Sequence, residues 1–508
     1  MSEALARLPG LLAAHVQLSV AALVCALVIG LPLAVIAARR PALARVALGF
    51  ASLVQTIPAL ALLALFYPLL LALSALIGGG IPALGFLPAL LALTLYALLP
   101  ILRNAVTGLA GIDPAVIEAA DGMGMTPGQR LRLVEAPLAL PVAMAGIRTA
   151  AVWTIGAATL ATTVGQPCLG DLIFAGLQTQ DWPLVLTGCA AAASLALLAD
   201  GLLGAAEWGV RTRRRWPVWR SGLAVLACGL LLSLAPLARS HGPVVTIGAK
   251  NFSEQFILAR LIGNRLEAAG YQVRYREGLG SAVIFKALEA GDIDIYVDYA
   301  GTIWTNEMRR SDVPPRGRMV ADIGAWMKGG GKGALIGPLG FENSYAFAMR
   351  ATDQRRLGIR TLGELAARSP ALRLGTDIEF LERPEWRMVK AAYSMRFAEA
   401  RPFQPTMMYN ALASGRVDVI TAFSSDGRIA SDGLVTLADV KGAIPSYDAL
   451  LLASRARAGD ERFIAALAPL IDHVPVALMR EANYRVDRPD AKESPAQAAA
   501  WLDSRIGR

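Results

Sequence analysis

This sequence of 508 residues divides into an apolar first half and a polar second half. Long apolar runs fill positions 11–238, whereas residues 244–508 have the mixed composition of a water-soluble α/β protein. A bilayer core of roughly 30 Å requires about 20 apolar residues per helix. Runs of about that length lie near 13–37, 46–77, 84–108, 141–164, 183–208 and 221–238. The second run is longer than one span needs and contains Pro58 and Pro68, which predicts a kink or a break.

Basic residues concentrate between these runs and predict how the chain crosses a membrane. If the N-terminus faces outward, the cytoplasmic side of the membrane receives all three basic segments: AARRPALAR (37–45), RTRRRWPVWR (211–220) and the loop between the third and fourth runs. The loop at 162–182 has neither Lys nor Arg, as an outer loop should. We expect a multi-pass protein of the cytoplasmic (inner) membrane, with its N-terminus and its polar half extracytoplasmic. These loops hold much of the net charge of +9, so no nucleic acid partner is expected.

The segment between the third and fourth runs, residues 111–141, has the features of two short helices. Asp113 and Pro114 are typical of a helix start, because Asp caps the first turn and Pro fits the first helical position. Glycines between 122 and 128 predict a break after that helix. The small side chains of Ala119 and Ala120 would let the helix lie close against a partner surface.

This segment resembles the coupling loop of ATP-binding-cassette (ABC) importer permeases, in which Glu-Ala-Ala is followed by Gly and then by Leu-Pro. The matching residues are Glu118, Ala119, Ala120 and Gly124, with Leu140-Pro141 closing the pattern. The stretches SLVQTIPALALLALFYPLL and LALTLYALLPILRNAVTGL resemble permeases of the osmoprotectant uptake family, over about 10–210. The resemblance implies a transmembrane permease domain at 1–215 with about five spans, followed by a further span and linker at 216–243.

The resemblance also implies partners. An importer permease works with a cytoplasmic ABC ATPase, and we expect that subunit to be a separate chain because no G-x-x-x-x-G-K-[ST] motif occurs here. A permease homodimer is expected as well. No cofactor is expected in this chain, since ATP would be hydrolysed by the separate subunit.

From Val244 onward, short strands alternate with helices. VVTIGAK (244–250) has the pattern of a strand, and residues 252–270 that of a helix ended by Gly270. A second unit of this kind begins near 372–380. Such alternation predicts mostly parallel sheets, with ligand at the carboxyl ends of the strands. We expect two α/β lobes over 244–508, lobe 1 at about 244–350 and 444–508 and lobe 2 at about 351–443.

Several stretches of this half follow, in order, the binding proteins for glycine betaine, carnitine and choline: TIGAKNFSEQFILARLIGNRLEAAGYQV, GLGSAVIFKALEAGDIDIYVDYAGT, FENSYAFAMR, VDVITAFSSDGRI and PSYDALLL. The resemblance implies a bilobed, periplasmic-binding-protein-like fold of type II. It also implies an aromatic cage, because a trimethylammonium group has no N–H and is held by cation–π contacts worth roughly 0.5–2 kcal/mol each. The implied cage residues are Tyr299, Tyr345, Phe423 and Tyr447, with polar groups from Gln255, Ser281 and Thr302 and with Arg383 for an anionic tail. Phe423 stands where the family usually has tyrosine.

These observations predict the permease and solute-binding subunit of an ATP-driven importer for glycine betaine, choline or carnitine. Ergothioneine, a trimethylated histidine thione, is an alternative ligand for the same architecture. An alternative of another class is a ligand-gated channel or a membrane sensor, for which no pore loop or signalling module is evident. We expect neither an enzyme nor a metal site, because the cysteines and histidines are scattered. They are Cys25, Cys168, Cys189, Cys228, His15, His241 and His473.

Overall fold

The computed structural model describes residues 2–77, 81–179, 181–212, 243–377, 379–488 and 490–506. These residues form two compact units, the first drawn from 1–174 and 182–240 and the second from 175–181 and 241–508. The helices up to residue 212 are α1 (Ser2–Ala38), α2 (Pro41–Thr56), α3 (Ala59–Leu76), α4 (Phe86–Ala110), α5 (Pro114–Gly122), α6 (Pro127–Arg130), α7 (Ala136–Ala158), α8 (Gly170–Thr179) and α9 (Trp182–Arg211).

Helices long and apolar enough to cross a membrane lie at five places in the described residues. They are Arg7–Ala38, Ala59–Leu76, Phe86–Ala110, Pro127–Val164 and Trp182–Gly209. They correspond to five of the six predicted runs, and the predicted run at 221–238 lies outside the described residues. The over-long second run is divided, with α2 ending at Thr56 and α3 beginning at Ala59. Pro58 sits at this break because it lacks an N–H and forces the preceding Ile57 into an extended conformation.

Small residues let α4 approach both α1 and α7. Buried alanines, among them Ala26, Ala97 and Ala150, form the contact surfaces together with Ile101. Such residues allow close helix packing where lipid supplies no hydrophobic driving force between helices. Gly146 of α7 lies at the tightest point of the crossing with α4, because a Cβ built there would lie 2.5 Å from the carbonyl oxygen of Pro100.

Arg148, Asp200 and Glu207 form a charged cluster within these helices. Arg148 of α7 donates two hydrogen bonds to Asp200 of α9, at 2.5 and 2.7 Å, and lies 3.6 Å from Glu207. A charge inside a membrane-spanning helix is costly unless it is paired or hydrated. The pair therefore joins α7 to α9 in a defined register.

The second unit contains two five-stranded sheets. Its strands are β1 (Val244–Lys250), β2 (Gln272–Leu279), β3 (Ile295–Tyr299), β4 (Ala334–Glu342), β5 (Tyr345–Arg350), β6 (Arg373–Asp377), β7 (Glu399–Phe403), β8 (Val419–Phe423), β9 (Leu434–Thr436) and β10 (Asp448–Ala453). Their order is β2-β1-β3-β10-β4 in the first sheet and β7-β6-β8-β5-β9 in the second. In each sheet four strands run in the same direction, and a single strand, β10 in the first sheet and β5 in the second, runs antiparallel to both of its neighbours.

Helices accompany both sheets. They are α10 (Ser253–Ala268), α11 (Ser281–Ala290), α12 (Ala300–Thr302), α13 (Arg316–Gly329), α14 (Ala351–Leu357), α15 (Leu362–Arg368), α16 (Pro384–Tyr393), α17 (Pro405–Ala413), α18 (Arg428–Ser431), α19 (Glu461–Leu467), α20 (Val476–Asp487) and α21 (Pro495–Ile506). The helix predicted at 252–270 is therefore found as α10, and Gly270 follows it with a φ of 84°. The predicted alternation of strands and helices is confirmed in this unit.

The lobe boundary falls earlier than the sequence predicts. Strand β5 pairs with β8 and β9 of the second sheet, so residues 345–350 belong to lobe 2 rather than lobe 1. The chain leaves the first sheet after Glu342 and re-enters it at β10. The predicted boundary at about 350 was wrong because the chain changes sheets at the polar pair Asn343-Ser344, which separates β4 from β5.

We predict that Gly146→Ala destabilises the membrane unit by about 1–3 kcal/mol, because the added methyl group forces α4 and α7 apart. Gly156→Ala is the matched control, since it lies in the same helix and a Cβ there meets nothing within 4 Å. That substitution should leave stability unchanged or raise it by up to about 1 kcal/mol through better helix propensity. Thermal unfolding of the detergent-solubilised chain measures both; equal effects of the two would refute the close crossing.

Candidate functional site

Four predicted cage residues lie at strand ends that meet between the two sheets. Tyr299 is the last residue of β3 and Phe423 the last of β8, while Tyr345 begins β5 and Tyr447 immediately precedes β10. In the second sheet Tyr345 and Phe423 are direct cross-strand neighbours. These strand ends lie at the sheet edges where the chain crosses between the lobes. The four side chains therefore converge on one cleft.

The cleft encloses a cavity of about 180 Å³. Seven of the eight predicted ligand residues line it: Tyr299, Tyr345, Phe423, Tyr447, Ser281, Thr302 and Arg383. The eighth, Gln255, lies behind the wall, where its side-chain amide donates to the hydroxyl of Tyr299 at 3.1 Å. The structure thus brings the predicted set together, and the binding roles of its members stay predictions.

Phe252, which the sequence analysis does not predict as a site residue, lies between Tyr299 and Phe423 in the aromatic cluster. Its ring stacks on Phe423 with centroids 6.1 Å apart and planes 7° apart, and on Tyr299 at 6.2 Å. Tyr345 contacts Phe423 at 5.0 Å and meets Tyr447 edge-on at 5.9 Å. The available signal was its place in NFSEQ, two residues after the end of β1, since residues that follow the carboxyl end of a strand lie near the cleft.

Glu254 is a buried carboxylate that joins this cluster to four segments of the unit. One oxygen accepts from the Tyr299 hydroxyl at 2.5 Å and from the Asn343 amide at 2.9 Å. The other accepts from Ser425 at 2.5 Å and from Asn483 at 2.9 Å. Burial raises the pKa of Glu254, although all four donors oppose that rise. The carboxylate fixes where the Tyr299 ring faces, because it holds that hydroxyl in place.

Arg383 and Glu385 form a buried ion pair that reaches across the cleft. Arg383, which is 7% exposed, donates to Glu385 at 3.1 and 3.3 Å and to Thr302 of the other lobe at 3.2 Å. Glu385 also accepts from Thr305 at 3.2 Å and from the Tyr447 hydroxyl. Burial alone would raise the pKa of Glu385, but the charge of Arg383 and these hydrogen bonds outweigh it and lower that pKa. Much of the hydrogen-bonding capacity of the Arg383 guanidinium is thus already used within the protein.

The remaining charges of the cleft leave an excess of acid. Lys250 forms a buried ion pair with Asp298 at 2.5 Å, and its ammonium lies 5.5 Å from the Tyr299 ring centroid. Asp377, at the end of β6, accepts backbone N–H groups from Glu379 at 2.8 Å and from Phe380 at 3.0 Å. Among the described residues, Asp377 forms no salt bridge with a basic side chain. Burial raises its pKa, so binding a cation nearby would favour its ionised form.

The predicted coupling segment is an exposed pair of short helices. Asp113 accepts the N–H of Ala115 at 2.9 Å and so caps α5, as its sequence predicts. Glu118 and Ala119 are exposed on α5, while Ala120 is buried. Gly124 has a φ of 76°, which turns the chain between α5 and α6. Arg130 forms salt bridges with Asp121 at 2.7 Å and with Glu135 at 2.8 Å, which tie the two ends of the segment together.

Among the described residues, no group of three or more His, Cys, Asp or Glu side chains is placed to hold a metal ion.

Comparison with known proteins matches both halves of the chain. Residues 243–504 match the family model for the substrate binding domain of ABC-type glycine betaine transport systems. Residues 30–212 match that for the inner membrane component of binding-protein-dependent transport systems.

Three relatives illustrate the similarity. An ergothioneine transport permease/ergothioneine binding protein from Helicobacter pylori is 29% identical over 89% of this chain and 82% of its own length. The choline transport system permease of Bacillus subtilis is 40% identical over 38% of this chain and 83% of its own. An osmoprotectant import permease of Salmonella typhimurium is 44% identical over 37% of this chain and 85% of its own.

We predict that Arg383→Ala destabilises the second unit by about 3–5 kcal/mol, because it leaves Glu385 buried without its counter-charge. The melting temperature of that unit should fall by roughly 6–20 °C. The double variant Arg383→Ala/Glu385→Ala should recover part of this loss, since it removes both charges. Additive losses in the two single variants and the double variant would show that the pair is not coupled.

Proposed function

Because the chain belongs to the family of substrate-binding domains of ABC-type glycine betaine transport systems, we propose that it is the permease and solute-binding subunit of an ATP-driven importer for a small quaternary ammonium compound. The family predicted from the sequence is thereby confirmed in both halves. The observation that carries the ligand class is the cluster of aromatic faces at a buried cleft, beside the carboxylate of Asp377, which forms no salt bridge among the described residues.

The chemistry of that cleft suits a methylated cation. A trimethylammonium group attracts the faces of several rings at once and needs no hydrogen-bond donor or acceptor of its own. The rings of Phe252, Tyr299, Tyr345, Phe423 and Tyr447 supply such faces within a single cavity. The carboxylate of Asp377 adds a long-range attraction for positive charge, which is strengthened because the site is largely dehydrated.

Glycine betaine, choline and carnitine are the leading ligands in this proposal, and ergothioneine is the second candidate. All four carry the trimethylammonium group. Ergothioneine is favoured by one observation, the relative that matches this chain across both halves and is named for that compound. The match of residues 30–212 to a transport component favours an importer over a ligand-gated channel or a sensor.

The remaining parts of the proposal concern assembly. We place the second unit on the extracytoplasmic side, since the basic loops then all face the cytoplasm. The exposed α5, with Glu118 and Ala119, is the surface offered to a cytoplasmic ATPase. A homodimer of the membrane unit would complete the translocation path. Ligand closes the lobes, and hydrolysis by the ATPase opens the path inward.

The ligand class is tested with two substitutions at one position. Tyr345→Leu removes the ring but keeps most of the volume, whereas Tyr345→Phe keeps the ring. We predict that Leu weakens binding of the tightest ligand by roughly 2- to 30-fold, and that Phe changes it much less. Calorimetry of the full chain in lipid nanodiscs against choline, glycine betaine, carnitine and ergothioneine measures this. Equal affinity in the two variants would remove Tyr345 from the cage, and no binding of any of the four ligands by the unmodified chain would refute the ligand class.

The coupling role is tested at Gly124, whose φ of 76° disfavours any side chain. Gly124→Val should distort the turn between α5 and α6 and abolish most ligand-stimulated ATP hydrolysis in the complex with the ATPase, while ligand binding stays unchanged. Gly128→Ala is the matched control, because its backbone needs no positive φ and a Cβ there meets nothing within 4 Å. Full stimulation in the Gly124→Val complex would show that this segment does not transmit the signal.

A further inference from the structure

Four side chains of alternating charge connect the coupling segment to the end of the first transmembrane helix. Arg130 donates two hydrogen bonds of 2.7 Å to Asp121 of α5 and one of 2.8 Å to an oxygen of Glu135. The other oxygen of Glu135 accepts from Arg39 at 3.1 Å. Arg39 directly follows α1 and lies 96 positions before Glu135 in the sequence. We call Asp121, Arg130, Glu135 and Arg39 the ionic network.

Glu135 is the buried centre of this network. It is 8% exposed, whereas the side chains of Asp121 and Arg39 are 52% and 42% exposed. A buried carboxylate costs free energy unless opposite charges and hydrogen bonds compensate it, and here each oxygen has its own arginine. Glu135 therefore resists the separation of Arg39 from Arg130 more strongly than an exposed ion pair would, since exposed pairs contribute little.

A π-helical turn, Leu131–Glu135, creates the contact between Arg130 and Glu135. Residues five positions apart lie about 140° apart around an α-helix, so a regular helix would direct these two side chains to different faces. Here the N–H of Ala136 donates to the carbonyl of Leu131, five residues back, which brings Arg130 and Glu135 onto one face. Such turns are rare and often lie at functional sites. Reversion of this turn to α-helix would separate the pair.

The backbone between α5 and α6 is a weak mechanical link by comparison. Gly124 takes a φ of 76° there, and a Cβ built at Gly122, Gly124 or Gly128 would meet no atom within 4 Å. Loosely packed glycines allow the backbone to bend. The salt bridge between Asp121 and Arg130 therefore supplies the stiffer connection between the two short helices.

The ends of the ionic network lie on elements with different tasks in the proposed transporter. Asp121 belongs to α5, whose Glu118 and Ala119 are exposed for a cytoplasmic ATPase. Glu135 precedes the first residue of α7, and Arg39 follows the last residue of α1. A displacement of α5 thus reaches the ends of two long helices through side-chain contacts as well as through the backbone.

We propose that Glu135 is a positioning residue for energy coupling, which transmits movement of the ATPase-facing segment to α1 by holding Arg130 and Arg39 together. This inference rests on the proposed function, that α5 meets a cytoplasmic ATPase. It adds a route for the signal and assigns that route to four charged side chains. None of the four lines the ligand cavity, so ligand affinity does not depend on them.

The first test removes one charge at the α1 end of the ionic network. Arg39→Gln keeps a long polar side chain but loses the charge. In the complex of the full chain with its ATPase in lipid nanodiscs, we expect ligand-stimulated ATP hydrolysis to fall roughly 2- to 30-fold. Basal hydrolysis and the calorimetric affinity for the ligand should stay unchanged. The ligand is the tightest-binding of choline, glycine betaine, carnitine and ergothioneine.

Two controls accompany this variant. Arg39→Lys restores the positive charge and should recover most of the stimulation. Arg40→Gln is the matched control, because Arg40 adjoins Arg39 and forms no salt bridge among the described residues. We expect full stimulation in Arg40→Gln. Equal losses in Arg39→Gln and Arg40→Gln would overturn the inference, because any loss of charge at this end of α1 would then suffice.

A double variant separates transmission from local damage. Asp121→Asn removes the charge at the opposite end of the ionic network, and both single variants break the same route. The double variant Asp121→Asn/Arg39→Gln should therefore lose no more stimulation than the more affected single variant. Losses that multiply would show two independent effects and would overturn the inference. If Arg39→Gln does not fold, Arg130→Gln takes its place in this comparison.

These outcomes are distinct from a failure of the proposed function. Full stimulation in Arg39→Gln, with stimulation still lost in Gly124→Val, would overturn the role of Glu135 and leave the proposed function intact. Absence of ligand-stimulated hydrolysis in the complex of the unmodified chain would overturn both.

Discussion

The carboxylate of Glu254 accepts four hydrogen bonds from four different segments, and the cleft is organised around it. It is buried and forms no salt bridge with a basic side chain of the described residues, so its four neutral donors must offset the cost of dehydration. Its donors include Tyr299 of the first sheet and Ser425 of the second lobe, and the crossover residue Asn343 lies between them. One group therefore sets the position of a cage ring, the orientation of the crossover amide and the approach of the two lobes. Leaving any of these buried hydrogen bonds unmade would cost free energy, so the geometry of the network is well defined.

The buried Arg383–Glu385 ion pair also joins the two lobes, on the other side of the cavity. It belongs to lobe 2, but it receives hydrogen bonds from Thr305 and Tyr447 and donates one to Thr302, all of lobe 1. The two charges neutralise each other, so the pair bridges the two lobes without adding net charge to the cleft. The carboxylates of Asp377 and Glu379, which both line the cavity, then add negative charge to the field that a ligand meets. An aromatic enclosure beside acidic groups is selective for a cation by charge and for a methylated cation by shape.

Much of this architecture could be predicted from the sequence, because the signals are local. The apolar runs, the break at Pro58, the Asp113 cap and the strand–helix alternation each depend on residues close together in the chain. The resemblance to known binding proteins identified three tyrosines, Tyr299, Tyr345 and Tyr447, that line one cavity. The lobe boundary was misplaced because strand pairing between Tyr345 and Phe423 is non-local. Phe252, Glu254 and Asp377 were missed for the same reason: a Phe, a Glu and an Asp near strand ends acquire their roles only when distant segments enclose them. Gln255 was assigned to the ligand, whereas it supports Tyr299 from behind.

A neutral isostere tests whether the cleft binds a methylated cation through its charge. Choline and 3,3-dimethylbutan-1-ol have nearly the same shape and the same hydroxyl, but only choline is charged. Competition of each compound against a bound fluorescent or radioactive quaternary amine, on the full chain in nanodiscs, gives the two affinities. Cation–π attraction and the field of Asp377 predict that choline binds at least about tenfold more tightly. Equal affinities would contradict the account, because the cleft would then recognise only an apolar shape.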